Sequence, residues 1–199
     1  MVESAVAKTI LYVEDSELLL QAGIKTLEGA GYGVVPARTG SEAVRLARKN
    51  PAIDLILMDI ELEFGDIDGP EAARQILAER DVPIIFLTSH SRKEYVERVK
   101  EITRYGYIIK NSGDFVLLSS IEMAFRLFEA NRRASEIGRK YRNLYHFAQV
   151  GLFETRLSDG QIIACNQRFC DLTGFHSVEE AIGGDVRGIY FDADDRLRA

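Results

Sequence analysis

The sequence predicts an α/β fold: a doubly wound, five-stranded parallel sheet, then a long linker helix, then a partial α+β module. Three observations predict it. Short apolar runs and amphipathic stretches alternate five times between Thr9 and Lys110, which a parallel sheet with helices on both faces accommodates. The run Ile53-Asp54-Leu55-Ile56-Leu57-Met58-Asp59 is almost wholly apolar and closes on a carboxylate, as a strand buried on both faces does. Several of these runs also end on groups that can do chemistry, and in a parallel sheet all such ends share one edge.

Each element has a local cause. Thr9 to Val13 is a short apolar strand ending in Glu14-Asp15-Ser16. Ser16 is placed to cap a helix whose inner face is Leu18, Leu19, Ala22, Ile24 and Leu27, stopped by Gly29, Gly31 and Gly33. Tyr32 to Pro36 is the second strand. Thr39-Gly40-Ser41 opens a helix with Ala43, Val44, Leu46 and Ala47 inward. The strand ending at Asp59 follows, with an acidic loop carrying Glu61, Glu63, Asp66 and Asp68. Pro70 suits the first turn of a third helix over 71–80. Val82 to Thr88 is the fourth strand, a charged helix is expected over 92–103, and Tyr107 to Lys110 is the fifth strand.

Bulk properties narrow the function. The chain has 199 residues, 46% of them hydrophobic, which is enough for one large or two small cores. Its net charge of −6 argues against a nucleic-acid binder that works by bulk charge. Two cysteines, Cys165 and Cys170, support neither a disulfide framework nor a zinc site. With no apolar leader at Met1 to Lys8 and no run of membrane-span length, a cytoplasmic protein without membrane contact is expected.

The strand ends then define a chemistry. Glu14, Asp15 and Asp59 converge with the Thr88 hydroxyl and the Lys110 ammonium. Clustered carboxylates repel one another unless a cation lies among them. Hard oxygen ligands with open positions suit Mg²⁺, which then accepts phosphate oxygens. Phosphoryl transfer needs an in-line nucleophile, for which Asp59 is placed, and neutralised equatorial oxygens, for which the metal, Lys110 and Thr88 are placed.

Ile10 to Asp15, Leu55 to Asp59, Phe86 to Ser89 and Tyr107 to Lys110 together resemble the response-regulator receiver domain of two-component signalling, over residues 8 to 128. The resemblance implies a flavodoxin-like sheet and a phosphoryl group accepted on Asp59 from a sensor histidine kinase or phosphotransfer protein. It implies Glu14 and Asp15 as the acidic pair that holds Mg²⁺, with the Glu61 backbone carbonyl as a further ligand. Lys110 matches the family's lysine, Thr88 the hydroxyl that moves toward the phosphoryl group, and Tyr107 the aromatic that follows it inward. No organic cofactor is implied. Such a domain catalyses its own phosphorylation and hydrolysis without being classed as an enzyme. Three departures stand out, the mildest being Ser89 where the family usually has a small alanine. Asn111 follows Lys110 where the family has a cis proline. A non-proline cis bond costs roughly 3 kcal/mol, so a trans bond and a shifted loop are expected. The loop after Asp59 is also longer than usual. His90, two residues past Thr88, is expected to be an exposed loop residue.

Ser112 or Asp114 can cap a helix starting near Phe115. Met123, Leu127, Ala130, Ala134, Ile137, Tyr141, Leu144 and Ala148 recur at spacings of four and three, a heptad seam that suits a parallel homodimer. Arg126, Arg132, Arg133, Arg139, Lys140 and Arg142 read as a solvated face of this helix, with no nucleic acid implied. Beyond it, Gly151 to Leu157, a turn at Ser158-Asp159-Gly160 and a return strand over 161–165 lead to a helix capped by Asn166 and a short helix after Ser177. The stretch from Val150 to Phe175, with the later Asp192-Ala193-Asp194-Asp195-Arg196, resembles the opening of a PAS domain. The expected division is a receiver over 1–128, a signalling helix over 129–148 and a partial PAS domain over 149–199.

The leading reading is a phosphorylation-dependent switch relaying from Asp59 through the helix to the PAS module. Its rivals are a pseudo-receiver that is never phosphorylated, a small-molecule-sensing PAS fragment, and an aspartyl-phosphate phosphatase of the haloacid-dehalogenase kind. The last needs an acid/base aspartate two residues past its nucleophile, where this chain has Glu61.

Overall fold

A computed structural model describes residues 7–62, 67–89, 99, 101–103 and 105–188. The helix expected over 92–103 falls mainly outside the described residues, as do His90, Glu63, Asp66 and the stretch 192–196. The chain divides into two compact units between Asn131 and Arg132.

The described elements of the first unit are β1 (Thr9–Val13), α1 (Glu17–Gly29), β2 (Gly33–Ala37), α2 (Gly40–Lys49), β3 (Ile53–Asp59), α3 (Gly69–Glu79), β4 (Ile84–Thr88), β5 (Tyr107–Ile109) and the first part of α4 (Asp114–Phe147), with strand and helix alternating as the sequence predicts as far as β4. The strands form one five-stranded sheet in the order β2-β1-β3-β4-β5. Every pairing is parallel. This is the flavodoxin-like arrangement, with its switch point between β1 and β3.

Alternating side chains divide the core into two layers. Leu11, Val13, Ile56, Met58, Ile84 and Phe86 pack with Ala43, Ala72 and Ile76 of α2 and α3. Ile10, Tyr12, Leu55, Leu57, Ile85 and Leu87 pack with Leu20 and Leu27 of α1 and with Ile121, Ala124 and Phe125 of α4. Burying each such aliphatic side chain contributes roughly 1.5–3 kcal/mol, so β3, with layers on both faces, is the centre of the unit. At its amino end the Arg80 guanidinium donates to the carbonyls of Ala47, Asn50, Pro51 and Ile53.

Caps follow local chemistry. The Thr39 hydroxyl accepts from Glu42 N at 3.1 Å, and Asp68 Oδ1 accepts from Glu71 N at 2.9 Å, with Pro70 in the first turn of α3. Ser16 stands at the N-cap of α1, but its side chain makes no capping bond. Its N–H turns back to Glu14 Oε1 at 3.4 Å.

Helix α4 is 34 residues long and buries only Ile121, Ala124 and Phe125. Met123, Ile137, Tyr141 and Leu144 of the predicted seam are each at least 67% exposed. No described helix is long and apolar enough to cross a membrane.

In the second unit, β6 (Phe153–Thr155) and β7 (Ile162–Cys165) pair antiparallel. Helices α5 (Gln167–Thr173) and α6 (Val178–Ala181) follow, capped by the side chains of Asn166 and Ser177. A single 3-10 turn at Val186–Gly188 completes the described part. Its core is Ile162, Cys165, Phe169, Cys170, Ala181 and Val186.

Candidate functional site

Four strand ends build the site. The parallel register places β1 beside β3 and β3 beside β4, so Glu14, Asp15, Asp59 and Thr88 reach the same edge. One carboxylate oxygen from each of Glu14, Asp15 and Asp59 lies within 4.8 Å of the others, and all three residues are buried. Lys110 extends β5, its N–H donating to Thr88 O at 2.8 Å. Its Nζ stands 2.7 Å from Asp59 Oδ2 and 2.7 Å from Glu14 Oε2. Asp59 Oδ1 accepts from the Glu61 N–H at 3.1 Å, which holds the carboxylate in one orientation.

The peptide after Lys110 is trans, as are all others described, and Asn111 takes a left-handed φ of 67°. Asparagine tolerates that region better than most residues. The turn thus delivers Lys110 to Asp59 without a proline.

Burial sets the electrostatics. It pushes Asp59 up from the ordinary carboxylate value to about 6, and the Glu14 charge adds to the rise, while Lys110 and the Glu61 N–H pull the other way. Burial alone would lower Lys110, but its bonds to Asp59 and Glu14 outweigh that and hold it above the usual lysine value. Among the described residues, Lys110 is the ammonium placed against Glu14 and Asp59, and the buried all-oxygen donor set of Glu14, Asp15 and Asp59 fits a hard divalent cation such as Mg²⁺.

The remaining predicted residues are placed as follows. Thr88 is fully buried at the end of β4. Tyr107, paired in register with Phe86 on β5, is 44% exposed and faces outward. Glu61 is half-buried beside Asp59.

Sequence reasoning missed three contributors. A Cβ on Gly69 would stand 1.8 Å from the Asp59 carbonyl oxygen, so the start of α3 can pack on the end of β3 only with glycine there. Arg38 Nη2 donates to the Asp15 carbonyl at 3.0 Å and Nη1 pairs with Glu17 at 3.2 Å, which fixes the acidic turn from the β2 side. Tyr12 lies under the cluster with its ring against Gly23, and burial together with Glu14 and Asp59 raises its phenol. Gly69 follows an Asp and precedes a Pro, a loop signal in itself, but its contact partner ten residues earlier is visible only in three dimensions.

Comparison with known proteins agrees with this geometry. A family model described as the response regulator receiver domain matches residues 10–122, and one described as a PAS domain matches residues 139–199. The transcriptional regulatory protein PdtaR of Mycobacterium tuberculosis is 33% identical over 127 residues, 63% of this chain and 60% of PdtaR. The chain thus spans about 60% of the length of that relative. The polar-differentiation response regulator DivK of Brucella abortus is 34% identical over 106 residues, 52% of this chain and 84% of DivK. Among solved structures, the N-terminal domain of a response regulator/sensory box/GGDEF 3-domain protein from Carboxydothermus hydrogenoformans is 42% identical. It has a TM-score of 0.58 and covers 62% of this chain and 98% of that one. The signal receiver domain of a modulated diguanylate cyclase from Desulfovibrio desulfuricans G20 is 35% identical, with a TM-score of 0.58 and coverage of 63% and 99%. With its sheet order, its acidic strand ends and a family model matching more than half its length, this chain belongs to the response regulator receiver family and carries a PAS region after the receiver.

Proposed function

We propose that the chain is a phosphorylation-controlled switch of a two-component phosphorelay, with Asp59 as phosphoacceptor. One observation carries the reading: Lys110 Nζ lies 2.7 Å from Asp59 Oδ2 within a buried cluster of three carboxylates. Receiver domains take their phosphoryl group from histidine kinases or phosphotransfer proteins, and such a protein is the partner proposed here. Glu14 and Asp15, with Asp59 and the Glu61 carbonyl, would hold Mg²⁺. Bound there, the ion would neutralise charge on the phosphoryl oxygens.

The protein's own groups do the rest. The Glu61 N–H, bonded to Oδ1, leaves Asp59 Oδ2 as the attacking oxygen, with Lys110 beside it. As the acyl phosphate forms, Lys110 moves its charge from the carboxylate to a phosphoryl oxygen. Thr88, at the end of the neighbouring strand, donates its hydroxyl to another, and Tyr107 turns in from its outward position to follow it. The shift passes to α4, and the exposed stripe of Met123, Ile137, Tyr141 and Leu144 pairs with a second copy of the chain. The PAS region receives the signal at the end of that helix. Two of the similar receivers belong to proteins described as carrying a sensory box and GGDEF region or as a modulated diguanylate cyclase, which supports a modular relay of this kind. The working compartment is the cytoplasm.

The pseudo-receiver reading rests on the absence of proline after Lys110. The 2.7 Å contact between Lys110 and Asp59 favours the switch instead. Intact mass after incubation with Mg²⁺ and a small acyl phosphate tests this. One added phosphoryl group on the native chain, absent from Asp59→Asn and abolished by chelation, is the expected result. No adduct on the native chain would leave a pseudo-receiver.

A further inference from the structure

The chain's only two cysteines meet in the core of the second unit. Cys165 closes β7 and Cys170 lies in α5, and both are buried free thiols. Their Sγ atoms stand 3.8 Å apart, which is van der Waals contact.

Between them in sequence is Asn166, fully buried and bonded on all sides. Its Nδ2 donates to Tyr145 O at 2.9 Å and to Val150 O at 3.1 Å. Its Oδ1 accepts from Leu152 N at 2.8 Å and Phe169 N at 2.9 Å. Its N–H donates to Leu152 O at 2.9 Å. One residue therefore ties the last turn of α4 to the approach to β6 and to the first turn of α5. The cysteines bracket it.

We propose that Cys165 and Cys170 are a redox site, forming a reversible intramolecular disulfide that closes a ring around Asn166 and locks this junction. A disulfide holds its sulfurs about 2 Å apart, so the pair must approach by less than 2 Å, within reach of side-chain rotation and a small shift of α5. The oxidant is a peroxide. One thiol sulfur attacks a peroxide oxygen, the O–O bond breaks, and a sulfenic acid and one water result. The second sulfur attacks the sulfenyl sulfur, the S–S bond forms, and the hydroxyl leaves as a second water with the remaining thiol proton. The two thiols lose two electrons and two protons, and the peroxide is reduced to water.

Burial, with the neighbouring Cys170, pushes the Cys165 thiol up to about 11, so thiolate is scarce while the unit is closed. Oxidation then proceeds through transient opening of the unit. The unit's small core makes such opening accessible, and the new bond would oppose it.

The test uses the full chain in native buffer. It is treated with hydrogen peroxide, quenched, unfolded and alkylated, and its intact mass is read. The expected product is lighter by two hydrogens, takes up no alkylating agent, and returns to two free thiols with dithiothreitol. Amide exchange at Leu152 and Phe169, both bonded to Asn166, is expected to slow by about tenfold in the oxidised form. Two alkylated thiols after treatment, oxygen added to sulfur, or disulfide-linked pairs of chains would each overturn the redox site. An oxidised chain with unchanged exchange at both amides would overturn the lock. The thiol count needs no substitution in the core, and Cys170→Ala serves only as a control for the site of the bond.

Discussion

Gly69 packs directly on the backbone of Asp59: a Cβ at position 69 would stand 1.8 Å from the Asp59 carbonyl oxygen and 2.9 Å from its carbonyl carbon. The clash is with backbone at the site itself, where no flexible side chain can give way. Gly69→Ala is therefore expected to cost about 3 kcal/mol or more, by the cost of forcing atoms into a packed site. Chemical denaturation against the native chain measures it. The same variant is expected to accept phosphate more slowly, because Asp59 must shift.

The raised pKa of Asp59 gives stability a pH dependence in the absence of metal. The folded chain holds the Asp59 proton up to about pH 6, whereas the ordinary value is 3.8. The folded state thus binds more protons between those values, and stability falls as pH rises through them. Above pH 6 the buried charge costs about 3 kcal/mol, which Asp59→Asn removes. Melting curves in chelator should show Asp59→Asn gaining on the native chain from pH 4 to 6 and level beyond. A gap that does not change with pH would show that Asp59 has an ordinary carboxylate value.

Lys110 occupies the carboxylates that a cation would need. Lys110→Met removes that competitor and leaves Asp59 and Glu14 facing each other without an ammonium. Mg²⁺ is expected to bind the variant more tightly, by tenfold or so, and to restore more stability to it than to the native chain. Phosphate uptake is expected to fall by at least about a hundredfold, since an electrostatic partner of the phosphoryl group is lost. Calorimetric Mg²⁺ titration and phosphorylation rates separate the two effects.

The exposed stripe of α4 makes the dimer testable. Ile137→Glu with Leu144→Glu places like charges on a face where the native residues are 67% and 73% exposed. Folding of the receiver should be unchanged, because neither residue belongs to its core. Sedimentation should show a native chain that self-associates and a variant that does not.

The parts of the fold readable in sequence are those with a local period. Ile53 to Asp59 shows its burial in its composition, and the acids at the ends of β1 and β3 share an edge because parallel strands leave no other arrangement. The Asn166 and Ser177 caps are equally local. Ser16 is the instructive failure: the Glu14 carboxylate takes the Ser16 N–H, and the expected hydroxyl cap is not made. Arg38 on Asp15, Gly69 on Asp59 and the sulfur contact of Cys165 with Cys170 depend on where separate segments meet. No window of sequence contains that information. The outward face of Tyr107 is likewise a matter of rotamer and state, which residue identity does not encode.

Arg80 has a mechanical consequence. Its guanidinium grips four carbonyls, the last being Ile53 at the foot of β3, while Asp59 stands at the head of the same strand. Thr9 N–H, donating to Asp54 Oδ2 at 2.8 Å, adds a second fastening at that foot. The foot of the strand is thus fastened beyond what the sheet ladder provides, and it is expected to serve as the datum against which movement at Asp59 is measured.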